Sequence, residues 1–74
     1  MSIAQLAGTA VGYSRAMDAI ASQTQDPTLV QDPARLAIFQ QQMYYAQTGY
    51  TLTARAMQDM HREDQVLGEM LRDA

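Results

Sequence analysis

Along the first two dozen positions the apolar residues Ile3, Leu6, Ala10, Tyr13, Met17 and Ile20 recur in alternating steps of three and four. That spacing paints one stripe down a helix, predicted here over residues 2–23. Gly8 and Gly12 each cost the helix up to about 1 kcal/mol relative to Ala. The helix is therefore expected to be firm from about Tyr13 and conditional before it. Ser2 is of the right type to cap an early start, and a frayed first turn is the alternative.

Residues 24–32 break the pattern. Pro27 pushes Asp26 out of the helical region, because the proline ring crowds the residue before it. Asp32 then reads as an N-cap and Pro33 as the first helical residue, where a missing N–H costs nothing. Leu29 and Val30 lie inside this connector and are expected to pack against something.

A second helix is predicted over residues 33–72. Its stripe runs Leu36, Phe39, Met43, Ala46, Tyr50, Thr53, Met57, Met60, Asp64, Leu67 and Leu71, interrupted only by Thr53 and Asp64. At 1.5 Å per residue such a helix is about 60 Å long. A periodic run of that length without internal caps points to a coiled coil or a comparable assembly. Gly49 marks either a kink or a place where another helix comes close. A further stripe of Ile38, Tyr45, Leu52 and Ala56, with Tyr44 beside it, lies about a third of a turn away. One hairpin partner covers only one of these faces, so the other meets solvent or another copy.

Size sharpens that expectation. The chain has 74 residues, enough for one domain spanning 1–74. Unfolded, it would expose about 12,000 Å², and as a compact globule about 4,500 Å². For a chain this small the gain from burial and the cost of ordering nearly cancel. Disulfides cannot help, because there is no cysteine. His61 is the only histidine and the carboxylates never fall into a calcium-loop pattern, so no metal or other cofactor is expected. Oligomerisation remains.

Charge and motifs exclude several classes. The net charge is −3 and the five basic residues, Arg15, Arg35, Arg55, Arg62 and Arg72, are scattered, which argues against a nucleic-acid partner. No apolar run approaches the ~20 residues that span a bilayer, and the start lacks a basic n-region, so no stable membrane insertion and no cleaved signal peptide are expected. His61, Glu63 and Asp64 are the nearest approach to an acid–base group. Neighbours on a helix point about 100° apart and do not converge on a substrate. No Gly-rich phosphate loop or nucleophile motif is present, and the expectation is no catalytic residue and no enzyme. The charged residues thicken towards the C-terminus, with Asp59/Arg62 and Glu69/Arg72 placed for neighbouring ion pairs on a solvated face. The Met and Tyr residues at helical spacing suit a core that is partly intermolecular.

These features together resemble the needle subunits of bacterial type III secretion systems. The family pattern is a Pro-containing loop, then Asp-Pro, two variable residues, Leu or Met, three variable residues and Gln. This chain reads Asp32-Pro33-Ala34-Arg35-Leu36-Ala37-Ile38-Phe39-Gln40, with Leu29-Val30 before it and Tyr44-Tyr45 after it. The length and the short-helix, long-helix layout are also similar. Two features depart: there is no Lys, and the chain ends Met70-Leu71-Arg72-Asp73-Ala74. That ending is more similar to the inner-rod subunits of the same apparatus.

The resemblance implies an all-α two-helix hairpin that assembles into a helical tubular filament. Such a filament is a passive conduit for unfolded effector proteins, displayed at the bacterial surface after export without a cleaved signal. Its partners would be further copies of itself, inner-rod and tip proteins, needle chaperones and the translocating effectors. Carried over to this chain, subunit contacts are expected from Ile3, Leu6, Tyr13, Met17, Ile20, Pro33, Leu36, Phe39, Met43, Tyr45, Tyr50, Leu52, Met57, Met60, Leu67 and Leu71. Gln58, Asp59 and Arg62 become the residues expected to face the lumen. An inner-rod subunit is the second reading, and a small helical chaperone-like module that binds one client helix is the third.

Overall fold

The computed structural model describes residues 2–73, so Met1 and Ala74, the ends of the single predicted domain, lie outside it. The chain is an all-α hairpin of two helices, α1 (Ile3–Ala21) and α2 (Pro33–Asp73). A 3₁₀ turn over Ser22–Gln25 and another over Leu29–Gln31 join them. The boundaries fall within two residues of those predicted, the scatter expected at helix ends.

α1 is regular from Ile3, through the stretch that Gly8 and Gly12 were expected to make conditional. Its first turn is closed by a reciprocal cap. The Ser2 hydroxyl accepts from the Gln5 N–H at 3.1 Å, and the Ser2 N–H donates to the Gln5 side-chain oxygen at 2.8 Å. Two of the amides that every helix start leaves orphaned are thereby satisfied. Leu6 and Ala10, both in this part of the helix, are its buried residues and pack it against α2. Gly8 and Gly12 stand on its open side with nothing near them.

α2 begins where the sequence placed it. Asp32 Oδ1 accepts from the amides of Ala34 and Arg35 at 3.1 and 3.3 Å, the N-cap geometry that Pro33 leaves free. Thr53, predicted to interrupt the apolar stripe, does not. It is buried, and its hydroxyl donates to the Gly49 carbonyl at 2.8 Å. With that bond made inside its own helix, the hydroxyl is satisfied and the side chain can be buried.

The helices run antiparallel in a definite register. Tyr13 lies over Gly49, whose absent side chain leaves room for the ring. A Cβ there would fall within the ring itself, 2.9 Å from Cδ1 and closer still to Cε1 and Cζ. Gly49 is therefore a close approach and not a kink. On one side of this crossing Ala10, Val11 and Ser14 line a groove with Tyr50 and Met57. On the other, Ala16 and Ile20 line a groove with Gln42, Tyr45 and Ala46. Ten residues back from Tyr13, Ile3 comes level with about Asp59. The rest of α2 continues alone, which gives the molecule its extents of 65 × 16 × 15 Å.

Candidate assembly surface

The hairpin hides little. Its accessible surface is 5784 Å², against about 4,500 Å² for a compact globule of the same mass. Among the described residues only Leu6, Ala10, Leu29, Ala46 and Thr53 are buried, and no large side chain is fully enclosed. The excess goes with an elongated shape that leaves many large apolar side chains open to solvent.

Three strips of α2 have distinct characters. The first stripe faces α1: Leu36, Phe39, Met43, Met57 and Met60 are half-buried, Ala46 and Thr53 are buried, and Tyr50 stands at the groove edge. Ile38, Tyr45 and Leu52 form the second. They repeat every seven residues and remain between 55% and 62% exposed, with Tyr44 beside them equally open. These large apolar groups stay mostly open, although Tyr45 edges the groove it shares with Ala16 and Ile20 of α1, and Ala56 of the same predicted stripe is half-buried. The third strip lies away from α1 and carries Gln47, Thr51, Arg55, Gln58 and Arg62, all exposed, with Tyr44 in one groove with Gln47, Thr51 and Arg55. Gln58 and Arg62, one turn apart, share its face, and Asp59 stands at its border.

The residues expected at subunit contacts therefore divide. Leu6, 7% exposed, is consumed by the hairpin's own seam and has little surface left to offer another chain. Tyr13, Met17, Ile20, Leu36, Phe39, Met43, Met57 and Met60 are each partly covered within the chain and keep an open flank. Ile3, Pro33, Tyr45, Tyr50, Leu52, Leu67 and Leu71 are exposed.

Beyond the reach of α1, no residue from His61 to Asp73 is buried. Val66, Leu67, Met70 and Leu71 stand in solvent there, and Leu71 is 78% exposed. Arg62, Glu63, Val66 and Leu67 line an open groove on this tail. His61, Glu63 and Asp64 are exposed on it as well. Asp59/Arg62 and Glu69/Arg72, spaced for ion pairs, do not form them; the one ion pair among the described residues is elsewhere.

That pair belongs to the connector, where a network unforeseen in the sequence closes the hairpin end. Asp26 Oδ1 accepts from the Thr28 hydroxyl at 2.7 Å and the Thr28 N–H at 2.9 Å. Arg35 spans back from α2. Its Nη2 donates to Asp26 Oδ2 at 3.1 Å and its Nη1 to the Thr28 hydroxyl oxygen at 3.0 Å. These bonds, led by the Thr28 hydroxyl, lower the Asp26 pKa from 3.8 to about 2. Of the two apolar connector residues, Leu29 is buried and Val30 points out. The Asp26-Pro27-Thr28 sequence was a readable Asx-turn signal. Arg35, nine residues on, becomes a partner only once the chain has turned.

Among the described residues no three His, Cys, Asp or Glu side chains gather as a metal site would require, and no helix is long and apolar enough to cross a membrane. Compared with known protein families, curated proteins and solved structures, the chain matches none.

Proposed function

We propose that this chain is a structural subunit that polymerises into the hollow needle of a bacterial type III secretion system. The observation that carries the reading is the second apolar stripe of α2, Ile38, Tyr45 and Leu52, left bare by a hairpin too slender to cover it. A polymer supplies the burial that one hairpin lacks. The polar strip away from α1, with Gln58 and Arg62 on it and Asp59 at its border, suits the wall of a conduit, because an unfolded passenger chain would adhere to large apolar patches. The Asp32–Pro33 cap and the pattern that follows it support the family resemblance. In this role the protein acts at the bacterial surface and has no catalytic step. The ending Met70-Leu71-Arg72 favours, as a second reading, an inner-rod subunit of the same apparatus.

Electron microscopy of the purified, concentrated chain tests the proposal. Uniform thin hollow filaments are expected. A monomer or a small closed oligomer at every concentration overturns self-polymerisation and favours a module that binds a single client helix.

A further inference from the structure

Resting on the self-assembly reading, we infer that the unpartnered tail of α2, residues 61–73, seats on the Ile38–Tyr45–Leu52 stripe of a second copy, so that copies join head to tail.

Three observations meet in this assignment. The first is charge. Up to Gln58 the chain is neutral, with Arg15, Arg35 and Arg55 balancing Asp18, Asp26 and Asp32. Within residues 61–73 four acids (Glu63, Asp64, Glu69 and Asp73) face only Arg62 and Arg72, and Asp59 just before them completes the net charge of −3. Two tails laid side by side would set like charge against like, which costs affinity and suppresses that pairing. A tail laid on the neutral body of another copy escapes the penalty. Arg35 is engaged by Asp26, whereas Arg15 and Arg55 stand exposed outside any ion pair.

The second is shape. The tail's 13 residues measure about 20 Å, and the 15 residues from Ile38 to Leu52 about 22 Å. One tail therefore covers one stripe. Val66, Leu67, Met70 and Leu71 offer large apolar side chains, and so do Ile38, Tyr45 and Leu52. The outer face of α1 offers mostly Ala and Gly around Val11 and is a poorer match.

The third is the border of each patch. Glu63 shares the tail groove with Val66, Leu67 and Arg62, and from Glu63 onward the acids outnumber the arginines. Arg55 shares a groove of the body with Leu52, Tyr44 and Thr51. Docking brings this acid and this base together at the rim. Because each copy then presents one free tail and one free stripe, the contact is heterologous and does not close on itself.

The absence of cysteine makes the test direct. Leu52→Cys and Val66→Cys are prepared as separate full-length chains, both at exposed positions, and mixed under oxidising conditions after association of the unaltered chain has been established by sedimentation. Disulfides joining a Leu52→Cys chain to a Val66→Cys chain are expected to dominate over those joining two chains of the same variant. Arg55→Glu should raise the concentration needed for association on the order of tenfold, and Arg55→Glu with Glu63→Arg should recover most of it. Associating chains that cross-link mainly Val66→Cys to itself, or that ignore both charge changes, overturn the tail-to-stripe contact and leave polymerisation standing. Failure of the unaltered chain to associate at all overturns both.

Discussion

Met57 and Leu71 stand on nearly the same line of α2, two heptads apart, yet one is half-buried beneath α1 and the other lies 78% exposed. The helix is continuous through both. What separates the regions is coverage: α1 reaches about as far as Asp59 and stops. Backbone hydrogen bonding extends α2 to Asp73 at little cost, since adding a turn to an existing helix avoids the nucleation penalty. Arg72 in the last turn complements the helix dipole there. The contrast teaches that one apolar pattern ends up covered or bare depending only on whether α1 reaches it.

The largest predicted effect breaks that symmetry directly. Leu6→Ala removes a 7%-exposed side chain from the seam, and a buried Leu→Ala change costs roughly 2–5 kcal/mol. In so small a hairpin this means loss of most helical signal in dilute solution. Leu71→Ala, the same chemical change in the bare tail, should stay within about 0.5 kcal/mol. Denaturant unfolding of both variants, followed by circular dichroism at low protein concentration, makes the comparison. Equal losses would show that the tail is covered in the free chain after all.

A smaller effect sharpens the register of the covered half. Gly49→Ala places a methyl group where the Tyr13 ring sits, so the ring must leave its groove. The change is expected to destabilise by about 1–2 kcal/mol, net of the gain in helix propensity. In a Tyr13→Ala background the clash disappears and the same substitution should stabilise by up to about 1 kcal/mol. A sign that does not reverse in thermal unfolding would mean that Tyr13 and Gly49 do not face each other.

How far the sequence reached follows from the same division. Both helices, the Asp32–Pro33 boundary and the two stripes were legible because they depend on local spacing and on residues a few positions apart. Gly49 was readable as a special position, but its role required Tyr13, thirty-six residues away, to arrive beside it. Thr53 looked like a flaw because its polarity was counted without the Gly49 carbonyl that satisfies it. The glycines of α1 suggested a weak first turn, and the Ser2–Gln5 cap with the burial of Leu6 overrides them. The residues expected at subunit contacts were readable only as a set of apolar positions. Dividing them into those used within the hairpin, such as Leu6, and those left bare, such as Leu52 and Leu71, needed the length of α1 and the register of the crossing.

The smallest effect concerns the closed end, where the two helices are tied together, and it reads out through pH. Asp26 has its pKa lowered to about 2 by the Thr28 hydroxyl and N–H and by Arg35. A carboxyl held below its unfolded value of 3.8 contributes stability that is fully present above that value. The contribution fades as pH falls from about 4 through about 2, because protonation removes an acceptor and unpairs Arg35. The group is exposed, so the effect is modest and screened by salt. Acid should loosen the connector first, with the hairpin's free end still zipped by Leu6 and Ala10. The ¹³C shift of the Asp26 carboxyl, followed through the titration, should show a midpoint well below the ordinary carboxylate range. Asp26→Asn should flatten that part of the acid-unfolding curve, and Arg35→Ala should raise the midpoint. An Asp26 midpoint near 4 in the unaltered chain would mean that the connector is open in solution and that α1 is held to α2 by the seam alone.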